Sequence, residues 1–226
     1  IAKISARDES ATTTRMADMT SSGFDTATLR SDRRGARASI EYGLVPVRQR
    51  TLTEKLYISA NSLLADSFEL GSRVLAAGFR PTFIVALWRG GAPVGIAVQE
   101  LLEHRGVPTD HIAIRTSSYT GIDQQSKTVR VHGLDYLVSK LTAADRLLIV
   151  DDVFDSGRSL EAVQATLRER CGARLPQELR IATVYYKPAR NRSTLRPDFF
   201  VHETAAWLVC PHELQGLSDE EIRAHK

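Results

Sequence analysis

The segment LIVDDVFDSGRS, Leu148–Ser159, decides the predicted fold. Its apolar first half is typical of a buried strand, and that strand carries Asp151 and Asp152 at its C-terminal end. Gly157 can adopt the unusual dihedral angles of a tight turn, and a helix is predicted to begin at about Ser159. The segment therefore predicts a strand, a polar turn and a helix in direct succession.

The turn between this strand and helix has the features of an anion site. Backbone N–H groups of residues 155–159 converge at a helix N-terminus, where the helix dipole and unsatisfied donors stabilise a phosphate dianion. Ser156 and Ser159 add hydroxyl donors. The two adjacent carboxylates can accept hydrogen bonds from vicinal sugar hydroxyls while the turn holds the phosphate. The expected ligand is a ribose 5-phosphate.

Paired strand-end acids also occur in receiver domains and on the magnesium-binding strand of nucleotide hydrolases. The sequence contains neither the G-x-x-x-x-G-K-[ST] loop of a P-loop hydrolase nor the G-x-G-x-x-G motif of a dinucleotide site. The Asp-Ser-Gly-Arg-Ser turn therefore favours the phosphate interpretation.

Apolar strands and helical periods alternate along the rest of the chain. The spacing of apolar residues between Thr51 and Gly78 predicts one or two helices. The remaining predicted elements are strands at 83–87, 111–115, 146–150 and 181–186, helices at 94–102, 134–141 and 159–170, and a long surface loop at 117–130. This alternation predicts an α/β fold with a mostly parallel, doubly wound sheet, whose ligand site lies beyond the carboxyl ends of the strands.

Composition limits the possible functions. The 226 residues are 42% hydrophobic, and 30 Lys and Arg against 27 Asp and Glu give a net charge of +3, which does not imply a nucleic-acid partner. Cys171 and Cys210 cannot form a disulfide framework, and no apolar run approaches the roughly 20 residues that span a bilayer. Since Ile1–Asp25 shows no signal peptide, we expect a cytoplasmic protein with no membrane partner.

Two regions differ in composition. Residues 1–50 are rich in Ser, Thr, Arg and Asp and are predicted to be a polar N-terminal extension of unknown role, packed on the body of the protein or on a neighbouring subunit. Residues 51–226 are predicted to form one α/β domain.

The acidic segment resembles the phosphoribosyl pyrophosphate motif of type I phosphoribosyltransferases. The resemblance implies that Asp151 and Asp152 contact the ribose hydroxyls and hold Mg²⁺ together with pyrophosphate and water. The 5-phosphate site would comprise Asp155, Ser156, Gly157, Arg158 and Ser159. Asp155 also matches the residue proposed to take or share the proton at N7 of the base.

Two further motifs fit the same family. Arg89-Gly90-Gly91 follows the first long strand and resembles the pyrophosphate loop, in which glycines allow close backbone approach and a guanidinium offers planar donors. Family members often hold the preceding peptide bond, here Trp88–Arg89, in cis. Ser118-Tyr119 resembles the Ser-Tyr pair of the mobile catalytic loop, which closes over the reacting ribose. The implied catalytic residues are thus Asp155, Arg89, Ser118 and Tyr119.

The C-terminal part resembles the base pocket of the hypoxanthine, xanthine and guanine branch, with a hood at about 195–217. Lys187 would donate to O6 of the base, Trp207 would stack on the purine and Leu208 would give main-chain contacts. Val209 stands where xanthine-guanine enzymes have an acid that recognises the 2-substituent, which favours hypoxanthine. The resemblance also implies a homodimer or homotetramer.

The predicted function is transfer of the 5-phosphoribosyl group from phosphoribosyl pyrophosphate to a 6-oxopurine. Two alternatives stay open, a transferase for a modified base such as a deazapurine and a non-catalytic regulator that senses phosphoribosyl pyrophosphate. His202, Cys210 and His212 fit no zinc spacing, so no structural metal is expected.

Overall fold

The computed structural model describes residues 55–120 and 127–226, and side chains within 55–117 and 129–226. The predicted N-terminal extension, residues 1–50, lies outside this part of the chain. The described strands are β1 (Lys55–Tyr57), β2 (Phe83–Trp88), β3 (Asp110–Thr120), β4 (Lys127–His132), β5 (Arg146–Phe154), β6 (Glu178–Tyr186), β7 (Phe199–Glu203) and β8 (Trp207–Val209). The α-helices are α1 (Ala60–Ala76), α2 (Gly91–His104), α3 (Asp135–Lys140), α4 (Arg158–Cys171) and α5 (Asp219–His225).

A six-stranded sheet with the order β4-β3-β2-β5-β6-β7 forms the centre of the described domain. Every neighbouring pair is parallel except β3 and β4, which form an antiparallel edge pair. The chain moves from β2 outwards to β3, whereas β5, β6 and β7 follow in the opposite direction. The strand order therefore reverses between β2 and β5, the position at which open parallel sheets bind ligands.

Helices cover both faces of the sheet. Successive strand residues point to opposite faces, so each face presents apolar side chains that pack against helices. On one face Ile84, Leu148 and Val184 join the apolar residues of α1 and α2. On the other face Val85 and Ile149 pack with the apolar residues of α3 and α4. The strands are consequently buried on both sides, which explains why their sequences are continuously apolar.

The predicted fold class, an α/β fold with a mostly parallel, doubly wound sheet, is confirmed. The surface loop predicted at 117–130 is wrong in large part, since β3 extends to Thr120 and β4 begins at Lys127. Its β-branched residues favour strand structure, and an edge hairpin needs no continuous apolar run. No helix of the described residues combines the length and apolarity that crossing a membrane requires.

A small second layer, absent from the sequence-based prediction, supports the region of the predicted hood. β1 pairs in parallel with β8, so that Lys55 lies opposite Trp207 and Tyr57 opposite Val209. Helix α5 closes this layer, because Glu221 Oε1 lies 2.6 Å from both Lys55 Nζ and Tyr57 Oη. The C-terminal helix therefore stabilises the strand that carries Trp207.

Glu221→Gln tests this support. Hydrogen bonds from Lys55 and Tyr57 lower the pKa of Glu221 from 4.5 to about 2. A lowered pKa in the folded state contributes stability above pH 4.5, and this contribution is lost as the pH falls towards 2. We expect the variant to have a lower melting temperature at pH 7 and a flatter dependence on pH between 4.5 and 2.

Thermal unfolding followed by circular dichroism measures this difference. Glu220→Gln, an exposed neighbour on the same helix, is the matched control and should unfold as the unmodified protein does. Identical pH profiles for the Glu221 variant and the control would contradict the assigned role of the network.

Candidate active site

The acidic pair lies at the carboxyl end of β5, beside the point where the strand order reverses. Asp151 Oδ1 accepts from the backbone N–H of Asp152 at 3.0 Å, and Asp152 Oδ1 accepts from that of Val153 at 2.8 Å. Burial, followed by the charge of Asp152, raises the pKa of Asp151 well above its ordinary value. The two carboxylates therefore do not ionise with equal ease.

Asp152 has polar neighbours from the C-terminal part of the chain. Its Oδ2 lies 3.3 Å from Nε2 of His212, and the thiol of Cys210 also donates to it. Burial alone would raise the pKa of Asp152, but the hydrogen bond and charge of His212, with help from Cys210, lower it below its ordinary value. Neither contact is evident from the sequence, because about sixty residues separate the partners.

The Arg89-Gly90-Gly91 turn packs directly against the acidic pair. A Cβ atom on Gly91 would lie 2.5 Å from the carbonyl oxygen of Val150, and one on Gly90 would overlap the Asp152 carboxylate. Glycine is thus required by close approach to the acidic pair, whereas the sequence argument invoked close approach to pyrophosphate, which stays a prediction. The Trp88–Arg89 peptide bond is cis, as the family resemblance implied. Arg89 itself is exposed at the end of β2.

The turn after β5 forms a small polar concavity of about 90 Å³. Gly157 has φ +77° and precedes helix α4, whose first residue is Arg158. The lining includes Asp155, Ser156, Gly157 and Ser159, which are four of the predicted phosphate-binding residues. The exposed Arg158 does not contribute to this lining. The turn thus contributes four residues to the concavity, and binding of a phosphate there stays a prediction.

Asp155 is held by two cations at the ends of neighbouring segments. Arg190 Nε lies 2.7 Å from its Oδ1, and Lys187 Nζ lies 3.9 Å from its Oδ2. The backbone N–H of Lys187 donates to the carbonyl of Phe154 at 2.9 Å, which ties the end of β6 to β5. Arg190 was not predicted, although a cation three residues after Lys187 could have been considered.

A second cavity of about 290 Å³ lies beyond these cations. Trp207 is 54% exposed at its edge, whereas Leu208 and Val209 are buried. Burial lowers the pKa of Lys187, which the charge of Asp155 partly offsets. The cavity also contains Glu213, whose Oε2 accepts from the backbone N–H of Cys210 at 3.2 Å. The sequence argument did not identify Glu213 as part of this site.

Ser118 and Tyr119 belong to the backbone of β3, paired with Val129 and Thr128 of β4. Their side chains lie outside the described residues, so their catalytic role stays a prediction. His202 Nε2 contacts Asp66 Oδ2 at 3.0 Å, and among the described residues the group of possible metal ligands comprises Asp152, Cys210 and His212. The structure therefore replaces His202 by Asp152 in the group of possible metal ligands.

The fold and the site together define a class of α/β protein in which a polar turn and paired carboxylates lie at the switch point of a mostly parallel sheet. The model of the family "Phosphoribosyl transferase domain" matches residues 51–214, and the chain belongs to this family. It is therefore an enzyme of the phosphoribosyltransferase class, as the resemblance predicted.

Known relatives agree with this assignment. The hypoxanthine-guanine phosphoribosyltransferase of Lactococcus lactis is 28% identical over 148 residues, which cover 65% of this chain and 74% of the relative. A purine phosphoribosyltransferase from Pyrococcus horikoshii superposes with a TM-score of 0.55 and 25% identity, covering 73% of this chain and 98% of that one. The xanthine-guanine-hypoxanthine phosphoribosyltransferase of Helicobacter pylori shares the fold, with a TM-score of 0.55, 20% identity, and coverage of 70% and 92%.

Asp151→Asn tests the electrostatic cost of the acidic pair. Burial raises the pKa of Asp151 in the folded protein, so its stability falls as the pH rises from 3.8 through the folded value. Asn carries no such cost. We expect the variant to melt higher at pH 7 by at least about 2 °C, roughly the shift that 1 kcal/mol produces in a protein of this size. The difference should shrink towards pH 3.8.

Asp145→Asn is the matched control just before the start of the same strand. Burial would raise the pKa of Asp145, but hydrogen bonds from Thr142 and Thr82 lower it overall. This variant should lose stability at neutral pH. The assignment fails if differential scanning calorimetry shows that Asp151→Asn melts lower than the unmodified protein at pH 7.

Proposed function

We propose that this enzyme transfers the 5-phosphoribosyl group from phosphoribosyl pyrophosphate to a 6-oxopurine, with hypoxanthine as the favoured base. The observation that carries the proposal is the pairing of Lys187 with Asp155 at 3.9 Å, between the turn cavity and the cavity beside Trp207. A donor for O6 and an acceptor for the N7 proton then lie side by side. The two groups match adjacent positions on one edge of an oxopurine.

Phosphoribosyl pyrophosphate would lie along the carboxyl edge of the sheet. Backbone N–H groups and hydroxyls of the turn at 155–159 bind the 5-phosphate, and Asp151 and Asp152 accept from the ribose hydroxyls. Gly90 and Gly91 let the backbone approach the pyrophosphate, and Arg89 supplies planar donors to it. The substrate is therefore held at both ends while its anomeric carbon faces the second cavity.

The acidic pair also fits the Mg²⁺ that the family generally requires, since carboxylate oxygens are the donors it prefers. Asp151 and Asp152 would hold the ion together with pyrophosphate and water, and the ion would supply positive charge that offsets the negative charge of the leaving pyrophosphate. The protein itself orients ribose and excludes water. We propose that Ser118 and Tyr119 complete this exclusion by closing over the oxocarbenium-like ribose.

The base pocket would select a 6-oxo group. A buried Lys187 ammonium can donate to a carbonyl oxygen but faces repulsion from an exocyclic amine, so adenine is disfavoured. The exposed indole of Trp207 is free to stack on a flat heterocycle. Asp155, positioned by Arg190, takes or shares the N7 proton as the glycosidic bond forms at N9.

Selection at the 2-position is the basis for favouring hypoxanthine. Val209 is apolar and buried, so the amino group of guanine gains no acceptor from it. Glu213 is an acid in the same cavity, but its Oε2 already accepts from Cys210. A modified base such as a deazapurine is the second candidate substrate, and it would make little use of Asp155 if it lacks N7.

A regulator without catalysis is the third candidate, but the Lys187–Asp155 pair and the exposed face of Trp207 would have no role in phosphoribosyl pyrophosphate binding alone.

The proposal also includes a homodimeric or homotetrameric assembly, a polar extension over residues 1–50 and a hood at about 195–217.

Asp155→Asn separates catalysis from substrate binding. General acid–base assistance is typically worth about 10²–10⁴-fold in rate, and we expect kcat to fall within this range. Affinity for phosphoribosyl pyrophosphate should change by less than about tenfold, because backbone groups form most of the phosphate cradle. Steady-state kinetics and calorimetry measure the two quantities. Equal losses in both would contradict the role of Asp155 as the group that handles the N7 proton.

A panel of bases tests the proposed function directly. Hypoxanthine should be the preferred substrate, with kcat/KM about tenfold to a hundredfold above that of guanine, the effect of an unpaired polar contact worth about 1–3 kcal/mol. Val209→Glu should narrow or reverse the difference, whereas Val209→Met, the apolar control of similar length, should not. Circular dichroism of both variants checks that the buried site still folds.

Other outcomes of the panel have definite meanings. If the unmodified protein prefers guanine and Glu213→Gln abolishes that preference, Glu213 recognises the 2-position and the proposal for Val209 is wrong. If only bases without N7 react, the natural substrate is a deazapurine, and the proposed transfer to a 6-oxopurine is wrong. If no base is turned over, the remaining candidate is a non-catalytic regulator that senses phosphoribosyl pyrophosphate.

A further inference from the structure

Three side chains with different donor atoms meet beside the acidic pair. Asp152, Cys210 and His212 each offer one ligand atom, and these atoms lie within 4.8 Å of one another. One of the distances, from His212 Nε2 to Asp152 Oδ2, is 3.3 Å. Ligand atoms of a tetrahedral zinc site lie about 2.0–2.3 Å from the ion and therefore roughly 3.5 Å apart. Small side-chain movements would bring all three atoms to that spacing.

The donor set differs from one suited to magnesium. Mg²⁺ prefers oxygen donors, whereas a thiolate and an imidazole select a softer cation such as Zn²⁺. The thiol of Cys210 loses its proton to solvent when it binds such a cation, and His212 uses the lone pair of one ring nitrogen. Carboxylate, imidazole and thiolate together are common ligands of zinc.

Two features of the loop at 210–213 fix these donors in place. The backbone N–H of Cys210 donates to Glu213 Oε2 at 3.2 Å, and its carbonyl accepts from Lys226 Nζ at 2.6 Å. Pro211 stiffens the chain between the two soft ligands. The loop is therefore preorganised, which lowers the entropic cost of binding an ion.

A buried polar atom of His212 is not accounted for by hydrogen bonding. Its Nδ1 is buried and has no hydrogen-bond partner among residues 55–117 and 129–226. Leaving such an atom unpaired typically costs about 1–3 kcal/mol. Coordination through Nδ1 would supply this missing partner, whereas coordination through Nε2, the nitrogen that faces Asp152, would not.

The cluster is also open to the larger cavity. Asp152 and Cys210 line the 290 Å³ cavity, while the side chains of Asp152 and His212 are 13% and 24% exposed. Three protein ligands with access to solvent leave a fourth position for water. Such a site exchanges its ion, unlike a closed structural zinc site.

We propose that Asp152, Cys210 and His212 form a site for a thiophilic divalent cation of the zinc type, separate in chemistry from the Mg²⁺ of the reaction, and that the bound cation inhibits the enzyme. Inhibition follows because the ion takes the carboxylate that would otherwise accept from the ribose. This second half rests on the proposed function, whereas metal binding itself does not.

Titration of the full chain with Co²⁺, without any substrate, tests the site. A thiolate bound to Co²⁺ gives a ligand-to-metal charge-transfer band in the near ultraviolet, and Zn²⁺ in excess should abolish the band. Cys210→Ala should remove it. Cys171→Ala is the matched control, because Cys171 is buried at the C-terminal end of α4, in the core that α3 and α4 form with the sheet, and its loss should leave the band unchanged.

His212→Gln provides a second test that leaves the thiol in place. Zinc affinity, measured by competition with a chromophoric chelator, should fall at least about 10–100-fold, the loss that removal of an outer partner alone causes. Circular dichroism confirms that each variant is folded. An absent band in the unmodified protein, or a band and affinity unaffected by both substitutions, would overturn the proposal.

The inhibitory half has its own measurement. Affinity for phosphoribosyl pyrophosphate with saturating Mg²⁺ should fall when Zn²⁺ is added, and His212→Gln should require at least about tenfold more Zn²⁺ for the same fall. If the cobalt band appears but Zn²⁺ leaves this affinity unchanged, inhibition is refuted. If phosphoribosyl pyrophosphate does not bind even without Zn²⁺, the proposed function fails while the metal site stands.

Discussion

The arrangement of the site depends on two carboxylates placed side by side at the end of a buried strand. Asp151 and Asp152 are both buried, and the charge of Asp152 disfavours ionisation of Asp151. The protein offsets this cost unequally, since His212 and Cys210 approach only Asp152. The acidic pair therefore lowers folding stability, and the groups that offset this cost belong to the segment in which the base pocket is proposed.

The same constraint determines the turn on the neighbouring strand. Because β2 and β5 are adjacent and parallel, the backbone after β2 passes within van der Waals distance of the acids. Only glycine fits at 90 and 91 without a shift of the neighbouring atoms, and this close approach places the proposed pyrophosphate loop directly beside the proposed ribose site. The reversal of strand order between β2 and β5 therefore creates the site, and the glycines allow the turn after β2 to pack against the acidic pair.

The sequence predicts local features of this site better than distant ones. Strand β5, the turn and helix α4 come from one continuous segment, so their type and order could be predicted from residues 148–159. Arg190 and His212 were not predicted to reach the acids, because both come from segments distant in sequence from residues 148–159. Glu213, which lines the cavity beside Trp207, lies in no distinctive local pattern. The edge hairpin of β3 and β4 was missed for another reason, since one solvated face removes the apolar run by which strands were recognised.

Lys187 connects the end of β5 with the cavity beside Trp207. Its backbone N–H is bound to the end of β5 and its side chain is buried, so burial lowers its pKa while Asp155 restores part of the preference for charge. Arg190 competes for the same carboxylate, at 2.7 Å against 3.9 Å for Lys187. The positive charge of Lys187 is therefore only partly balanced by the protein. In the proposed reaction, a base with a carbonyl oxygen would supply the missing acceptor, whereas a base with an amine at that position would leave a buried ammonium unpaired. This second cost would make the proposed base pocket discriminate between the two kinds of base.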